Sequence, residues 1–404
     1  MVNKTRLPLV LADFRPVVVC PQVPQDQLLD YMASLMAAVQ CVKRGVHSNG
    51  ESERIHAEVR RRVYRYGVSS HDIRQRQCSL LRSPADVPAP GAPLKRPPKL
   101  FENLEEQPSG ALLNERMAFY DSLVTRFLQI RYAHANGSPP DDIVHVTCAG
   151  YLSPSPVQKM VSKLGWHDTV VTHCYHMGCY GAFPAVRMVA GFLAASHVSV
   201  ARPKSQVDIL HTEALSIHFD VAAVTPGNVV NMTLFGDGFI SYSAFTEPEA
   251  RKRGLRGLKI LAYQDKIIPG STQKMTWTPG PCQFDMSLSK DVPLHIRDAV
   301  SPFVESLCAQ VGLDFKTHKQ DIIFGVHPGG PKILDVIRRR LELEPEQLEL
   351  SRQVLYDNGN MSSATVPHIW ARIVENDAIS AGTKILSMGF GPGLTATGLL
   401  LEKV

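Results

Sequence analysis

Apolar residues fall along the chain in two recurring patterns: short runs that suit strands, and longer stretches in which they return every three or four positions. Arg15-Pro16-Val17-Val18-Val19 reads as a buried strand, and Gln25 to Val42 sets apolar positions at helical spacing among good helix formers. From Asp142 to Thr147 a short strand runs into the small-residue turn Ala149-Gly150. Ser155 then caps a helix with Pro156 at its first position, with Val157, Met160, Val161 and Leu164 along one side and Gly165 after its end. A second strand, Thr169 to Thr172, leads through His173-Cys174-Tyr175-His176-Met177 to Gly178-Cys179-Tyr180-Gly181, and an apolar helix follows from Ala182 to Ala195. This alternation of strand and helix predicts a layered α/β fold.

The same grammar returns after a basic connection, Arg251-Lys252-Arg253-Gly254-Leu255-Arg256, which we take as the seam between two halves, 1–250 and 251–404. Asp321 to Val326 is a strand, Pro328-Gly329-Gly330 a turn, and Pro331 opens a helix carrying Ile333, Leu334, Val336 and Ile337. Pro345 opens a further helix that ends near Gly359, and Ile385 to Met388 reads as a last strand entering the glycine loop Gly389-Phe390-Gly391-Pro392-Gly393. Two halves of like grammar suggest a duplicated unit. Between Ser83 and Gly110, Pro84, Pro88, Pro90, Pro93, Pro97, Pro98 and Pro108 predict an extended surface connection outside the core.

Composition narrows the class without choosing it. With 404 residues, 44% apolar and 20% charged, the chain is an ordinary globular protein of two domain-sized halves or one large layered unit. Lys4 and Arg6 precede an apolar run from Leu7 to Ala12 that Asp13 breaks, too short for a signal sequence, and the longest apolar stretch, Met188 to Ala195, is too short for a bilayer. A cytoplasmic protein with no membrane partner is expected. Eight cysteines without a CxxC pair argue for reduced thiols rather than a disulfide frame or a zinc site. A net charge of +5 is too small for nucleic-acid binding but suits a phosphate-bearing ligand such as coenzyme A or a carrier protein's phosphopantetheine. Of the arginines at 60, 61, 62, 65, 74 and 76, most read as a solvated helix face, and a subset is available to meet phosphates.

One cysteine stands out by its setting. Cys179 lies between glycines at a strand-to-helix turn, where the positive end of a helix favours a thiolate; the alternative is a small buried hydrophobe. A thioester-forming cysteine needs a base and donors for the oxygen charge that develops during attack. His327, at a strand end before Pro-Gly-Gly, and Asn360, just after Gly359, are the candidates; taken singly, each also reads as a core histidine and a capping asparagine.

Together with Leu234-Phe235-Gly236-Asp237-Gly238, His327-Pro328-Gly329-Gly330-Pro331, Gly359-Asn360-Met361-Ser362-Ser363-Ala364 and the glycine loop at 389–393, the Cys179 turn stands in the order found in the chalcone and stilbene synthases. The chain resembles these type III polyketide synthases over roughly Asp142 to Val404. The resemblance implies a thiolase-like fold of two pseudo-duplicated αβαβα halves in five layers, normally a homodimer. The first half would carry the nucleophile Cys179, and the second would carry His327 and Asn360, which bind the malonyl thioester carbonyl while carbon dioxide leaves. Phe235 matches the aromatic between the pantetheine tunnel and the chamber. The implied reaction loads an acyl starter from coenzyme A on Cys179 and extends it with malonyl-CoA by decarboxylative Claisen condensation, releasing a cyclised α-pyrone or resorcinol. No metal or bound cofactor is implied.

Departures from the plant pattern fall around the implied chamber. Met286 replaces an aromatic, Trp277 and Asn231 replace glycines, and Leu215 and His218 stand where threonines are usual; Trp277 with Phe284-Asp285-Met286-Ser287-Leu288 resembles bacterial members instead. Trp277 and Asn231 should narrow or reroute the cavity, which favours few extensions or a fatty acyl starter over chalcone formation. Cys148, Ser362 and Gly391 complete the expected pocket, Cys148 with a packing role as its equal alternative. The competing readings are a ketosynthase that takes its acyl groups from an acyl carrier protein, for which the 251–256 seam would be a docking site, and a catalytically silent acyl-binding homologue.

Overall fold

The computed structural model describes residues 8–133, 139–198 and 203–404; Lys4, Arg6 and Leu7 lie outside the described residues. Thirteen strands are present among them: β1 (Leu9–Val17), β2 (Gln22–Pro24), β3 (Gln75–Gln77), β4 (Asp142–Thr147), β5 (Val170–Tyr175), β6 (Gln206–Glu213), β7 (Gly238–Thr246), β8 (Gly257–Ile267), β9 (Met275–Pro279), β10 (Phe284–Leu288), β11 (Ile322–Val326), β12 (Lys384–Gly391) and β13 (Thr395–Lys403). Nine of them form one sheet in the order β11-β12-β13-β8-β1-β7-β6-β4-β5, with β9–β10 and β2–β3 as separate two-stranded pieces. From β1 outward the pairings run antiparallel to β7, antiparallel to β6 and parallel to β4; from β8 outward they run antiparallel to β13, antiparallel to β12 and parallel to β11. Both runs share the same directions, and they meet where β1 pairs with β8 over three residues.

Alternating side chains place apolar groups on both faces of this sheet, so it must be covered twice. In the β12–β13 hairpin, Ile385, Leu399 and Leu401 face a central cluster, whereas Leu386, Met388 and Leu400 face an outer one. The central cluster is filled by the helices Ala182–Val198 and Thr365–Glu375, whose Phe183 and Trp370 meet edge-on at 5.9 Å. Helices Gln25–Arg44, Asn49–Tyr66 and Leu113–Arg131 cover the outside of the first run, and Val292–Ala309 and Pro331–Leu341 cover the second. The result is the five-layered thiolase-like arrangement.

Several sequence expectations shift. The first strand is Leu9–Val17 and not 15–19, because Leu9 to Ala12 are the buried residues while Val18 is 60% exposed; a bulge between Ala12 and Arg15 turns the chain outward. The proline-rich segment is not all surface, since Leu100, Phe101 and Leu104 enter the first outer core. Gly389 and Gly391 belong to β12 rather than to a loop, and β13 follows it. A glycine is required at both positions, because a Cβ would collide with Phe183 or with Tyr180. The basic stretch after residue 250 is largely neutralised: Arg251 pairs with Glu247 at 2.6 Å and Arg253 with Glu249 at 2.7 Å. Among the described residues no helix is long and apolar enough to cross a membrane.

Candidate active site

Cys179 sits in a single helical turn, Gly178–Tyr180, between β5 and the central helix Ala182–Val198. Gly178 takes a φ of 74°, which admits the sharp turn, and its N–H donates to the sulfur of Cys148 at 3.0 Å. The backbone N–H of Cys179 itself acts on its thiol and favours the thiolate. Burial is nevertheless the dominant influence and pushes the Cys179 thiol up to about 12; the Ser362 hydroxyl and the Asn360 carboxamide pull it down, and the carboxyl of Glu213 reinforces the rise. Burial thus outweighs the helix end that favours a thiolate, and the Cys179 thiol is held above its ordinary value rather than below it.

His327 follows β11, where its N–H donates to Met388 O at 2.8 Å. Its imidazole is 2% exposed, and neither ring nitrogen has a hydrogen-bond partner. Burial holds its pKa down at about 3, so the ring is neutral, one nitrogen free to accept and the other to donate. Asn360 lies beyond the helix Glu349–Asn358, after Gly359 turns the chain with a φ of 69°. Its Oδ1 accepts from Ser362 N at 2.8 Å, which leaves Nδ2 as the donor that acts on the thiol. Main-chain bonds from Asn360 N to Leu234 O (3.0 Å) and from Gly236 N to Asn360 O (3.0 Å) tie this segment to Phe235 across the two halves.

A cavity of about 1090 Å³ joins these groups. Cys179, His327, Asn360 and Phe235 line it, as do Leu215, His218, Asn231, Trp277 and Met286. Cys148, Ser362 and Gly391 are not among its lining residues; they stand behind it, Cys148 and Gly391 against the Cys179 turn and Ser362 beside Asn360. The exposed Lys290 and Lys332 line the same cavity at its outer end.

Glu213 went unnoticed in the sequence, and Arg76, placed there among arginines on a solvated face or free to meet phosphates, is buried instead. Glu213, at the end of β6, accepts from Cys148 N at 2.8 Å and from the Ser363 hydroxyl, which also meets His211 Nδ1 at 2.9 Å. Burial raises the Glu213 carboxyl to about 7. Arg76 is 1% exposed; its Nε donates to Gln25 Oε1 at 2.7 Å and its Nη1 to Met232 O and Phe235 O, while Nη2 has no partner. Its stem fills the space beside Gly236 and Gly359, under the Phe235–Asn360 crossing. Of the other arginines, Arg60 pairs with Asp30 and Arg74 with Asp357, which leaves them to fold rather than to ligand.

The chain is similar to known proteins in sequence and in fold. The family described as "Chalcone and stilbene synthases, C-terminal domain" matches residues 259–404. "Type III polyketide synthase B" of Arabidopsis thaliana is 30% identical over 288 residues, spanning 66% of this chain and 69% of that protein. "1,3,6,8-tetrahydroxynaphthalene synthase" of Streptomyces griseus is 28% identical over 272 residues, spanning 66% of this chain and 69% of its own. The crystal structure of PKS-I from the brown alga Ectocarpus siliculosus superposes with a TM-score of 0.75 over 100% of both chains at 21% identity. On the matched sequence and the shared architecture, the chain belongs to the type III polyketide synthase family of condensing acyltransferases.

Proposed function

We propose that Cys179 carries the acyl chain, that His327 and Asn360 drive decarboxylation of malonyl-CoA, and that release occurs by cyclisation to an α-pyrone or resorcinol. The observation that carries this reading is a single buried cavity lined by a thiol, an imidazole with both nitrogens unpartnered and a carboxamide whose oxygen is already held. In loading, the thiol proton passes to the neutral imidazole, the sulfur–acyl bond forms, and the bond to coenzyme A sulfur breaks as that thiolate takes the proton. In extension, the malonyl carbon–carboxylate bond breaks and its electron pair moves onto the thioester oxygen. The His327 N–H and Asn360 Nδ2–H hold this enolate. The enolate carbon then attacks the Cys179 thioester carbonyl, the bond to the Cys179 sulfur breaks and that thiolate takes a proton from water, and the lengthened chain stays on coenzyme A until it is loaded on Cys179 again or cyclises.

Coenzyme A is favoured over a carrier protein as the delivery form. Lys290 and Lys332 stand exposed at the cavity's outer end, where a phosphate-bearing handle would emerge, whereas the arginines proposed to dock a carrier protein are occupied by Glu247 and Glu249. We assign the two halves to 1–250 and 251–404, the assembly to a homodimer and the compartment to the cytoplasm, where coenzyme A thioesters are the substrate pool. Incubation with a panel of acyl-CoA starters, followed by intact-mass analysis and product analysis with malonyl-CoA, tests the reading. A mass increase of one acyl group that maps to Cys179, and turnover with malonyl-CoA in preference to the malonyl carrier protein, are expected. No adduct with any starter would overturn it.

A further inference from the structure

The hairpin β9–β10 forms one wall of the cavity through Trp277, Phe284 and Met286, yet it pairs with no other strand among the described residues. What attaches its inner face is a set of side-chain bonds. His218 stacks on Phe284 with ring centres 4.2 Å apart and planes within 11°. Its Nδ1 accepts the Phe284 N–H at 3.1 Å, which fixes the tautomer, so Nε2–H donates to Ala149 O at 2.6 Å. Trp277 Nε1–H donates to Cys148 O at 2.7 Å, and the Cys148 sulfur in turn receives the N–H of Gly178, next to the nucleophile. Wall and nucleophile are thus registered through the same two residues, Cys148 and Ala149.

We infer that His218 is a positioning residue that pins the hairpin to the nucleophile's supporting loop, and that it sets product selectivity through its two hydrogen bonds rather than through its bulk. The inference rests on the condensing function proposed above. A ring bonded at both edges holds the wall at one distance from Cys179, so the space left for the growing chain is defined; with one bond lost the hairpin samples wider positions and the chain is released at more than one length.

The test compares His218→Leu, which keeps most of the volume and neither bond, with His218→Gln, whose amide can both accept and donate. With malonyl-CoA and a starter that the wild type uses, His218→Leu is expected to lower the ratio of major to minor products about tenfold, the effect of losing two net hydrogen bonds at about threefold each, and His218→Gln to restore most of it. An unchanged ratio in His218→Leu, or an equal shift in both variants, overturns the inference. Should His218→Leu fail to fold, Trp277→Phe, which loses the N–H to Cys148 together with part of the indole ring, must speed amide exchange at Phe284 and broaden the products; unchanged exchange overturns the clamp. Amide exchange at Phe284 reads the clamp without turnover. Faster exchange in His218→Leu than in His218→Gln is expected, and equal rates refute the clamp even if the wild type makes no product, an outcome that would instead sink the proposed function.

Discussion

At the floor of the cavity, Cys179, His327 and Asn360 stand where β5, β11 and the helix Glu349–Asn358 end, and main-chain bonds such as His327 N to Met388 O and Asn360 N to Leu234 O hold each segment. At the wall, the β9–β10 hairpin pairs with no other strand among the described residues; one main-chain bond, Leu113 N to Pro281 O at 3.1 Å, holds its tip, and the side chains of His218 and Trp277 join it to the floor. Floor side chains can therefore be exchanged without moving the backbone that presents them, whereas wall side chains are themselves the attachment. Changes at the floor should alter rate and leave product ratio alone; changes at the wall should do the reverse.

The largest expected effect sharpens the floor side of this contrast. Cys179→Ala should abolish acyl-enzyme formation, read by intact mass, while the thermal transition stays close to wild type because the turn is set by Gly178 and its bond to Cys148. Asn360→Ala should keep loading but lower malonyl-CoA decarboxylation by ~10²–10³, the usual cost of one oxyanion donor, read as carbon dioxide release. Normal decarboxylation in that variant would remove asparagine from the mechanism. His327→Ala should impair both steps, since its imidazole serves as proton acceptor in one and donor in the other.

Arg76 breaks the contrast in a useful place, because it supports the floor yet does so with a side chain. Arg76→Met should lower stability by about 1–3 kcal/mol, the cost of leaving buried carbonyls without donors, measured by urea denaturation. The carbonyls concerned belong to Met232 and Phe235, so decarboxylation should fall along with stability while loading of Cys179 is kept. A variant as stable as wild type would show that Gln25 and the surrounding backbone suffice to hold the Phe235–Asn360 crossing.

What the sequence disclosed follows the same division. Cys179, His327 and Asn360 stood out as candidates because glycine or proline turns lie beside them, and such turns mark strand and helix ends in any α/β fold; their joint role came from the order of the motifs, which resembles that of the chalcone and stilbene synthases. Arg76 and Glu213 were not, since a charged residue reads as solvated until tertiary packing encloses it; among clustered arginines nothing local separates the buried Arg76 from the ion-paired Arg74. The hairpin was missed as a unit because Met275–Pro279 and Phe284–Leu288 are short and half exposed, with too little alternation to register. The first strand was misplaced because three consecutive valines outweighed Leu9 to Ala12 in apparent β-propensity, although burial favours the latter.

The smallest expected effect concerns pH and returns to His218. Burial holds this ring at about 3, below its ordinary value near 6.5, so the folded protein keeps it neutral while the unfolded chain protonates it. A depressed base stabilises fully above the unfolded pKa, and that contribution is lost as pH falls from about 6.5 toward 3. His145 and His327, also held at about 3, and His368, at about 4, act in the same direction. Glu213 opposes them: its carboxyl is raised to about 7, so protonation on acidification favours the fold. The difference between wild type and His218→Gln cancels these common contributions and isolates one ring. Between pH 7 and 5.5 the wild type should lose about 1 kcal/mol more than the variant in urea denaturation. The clamp itself should hold throughout this range, because the folded ring stays neutral until pH approaches 3. Product ratio should then stay flat where stability slopes; a ratio that shifts between pH 7 and 5.5 would mean that the wall moves for a reason other than His218.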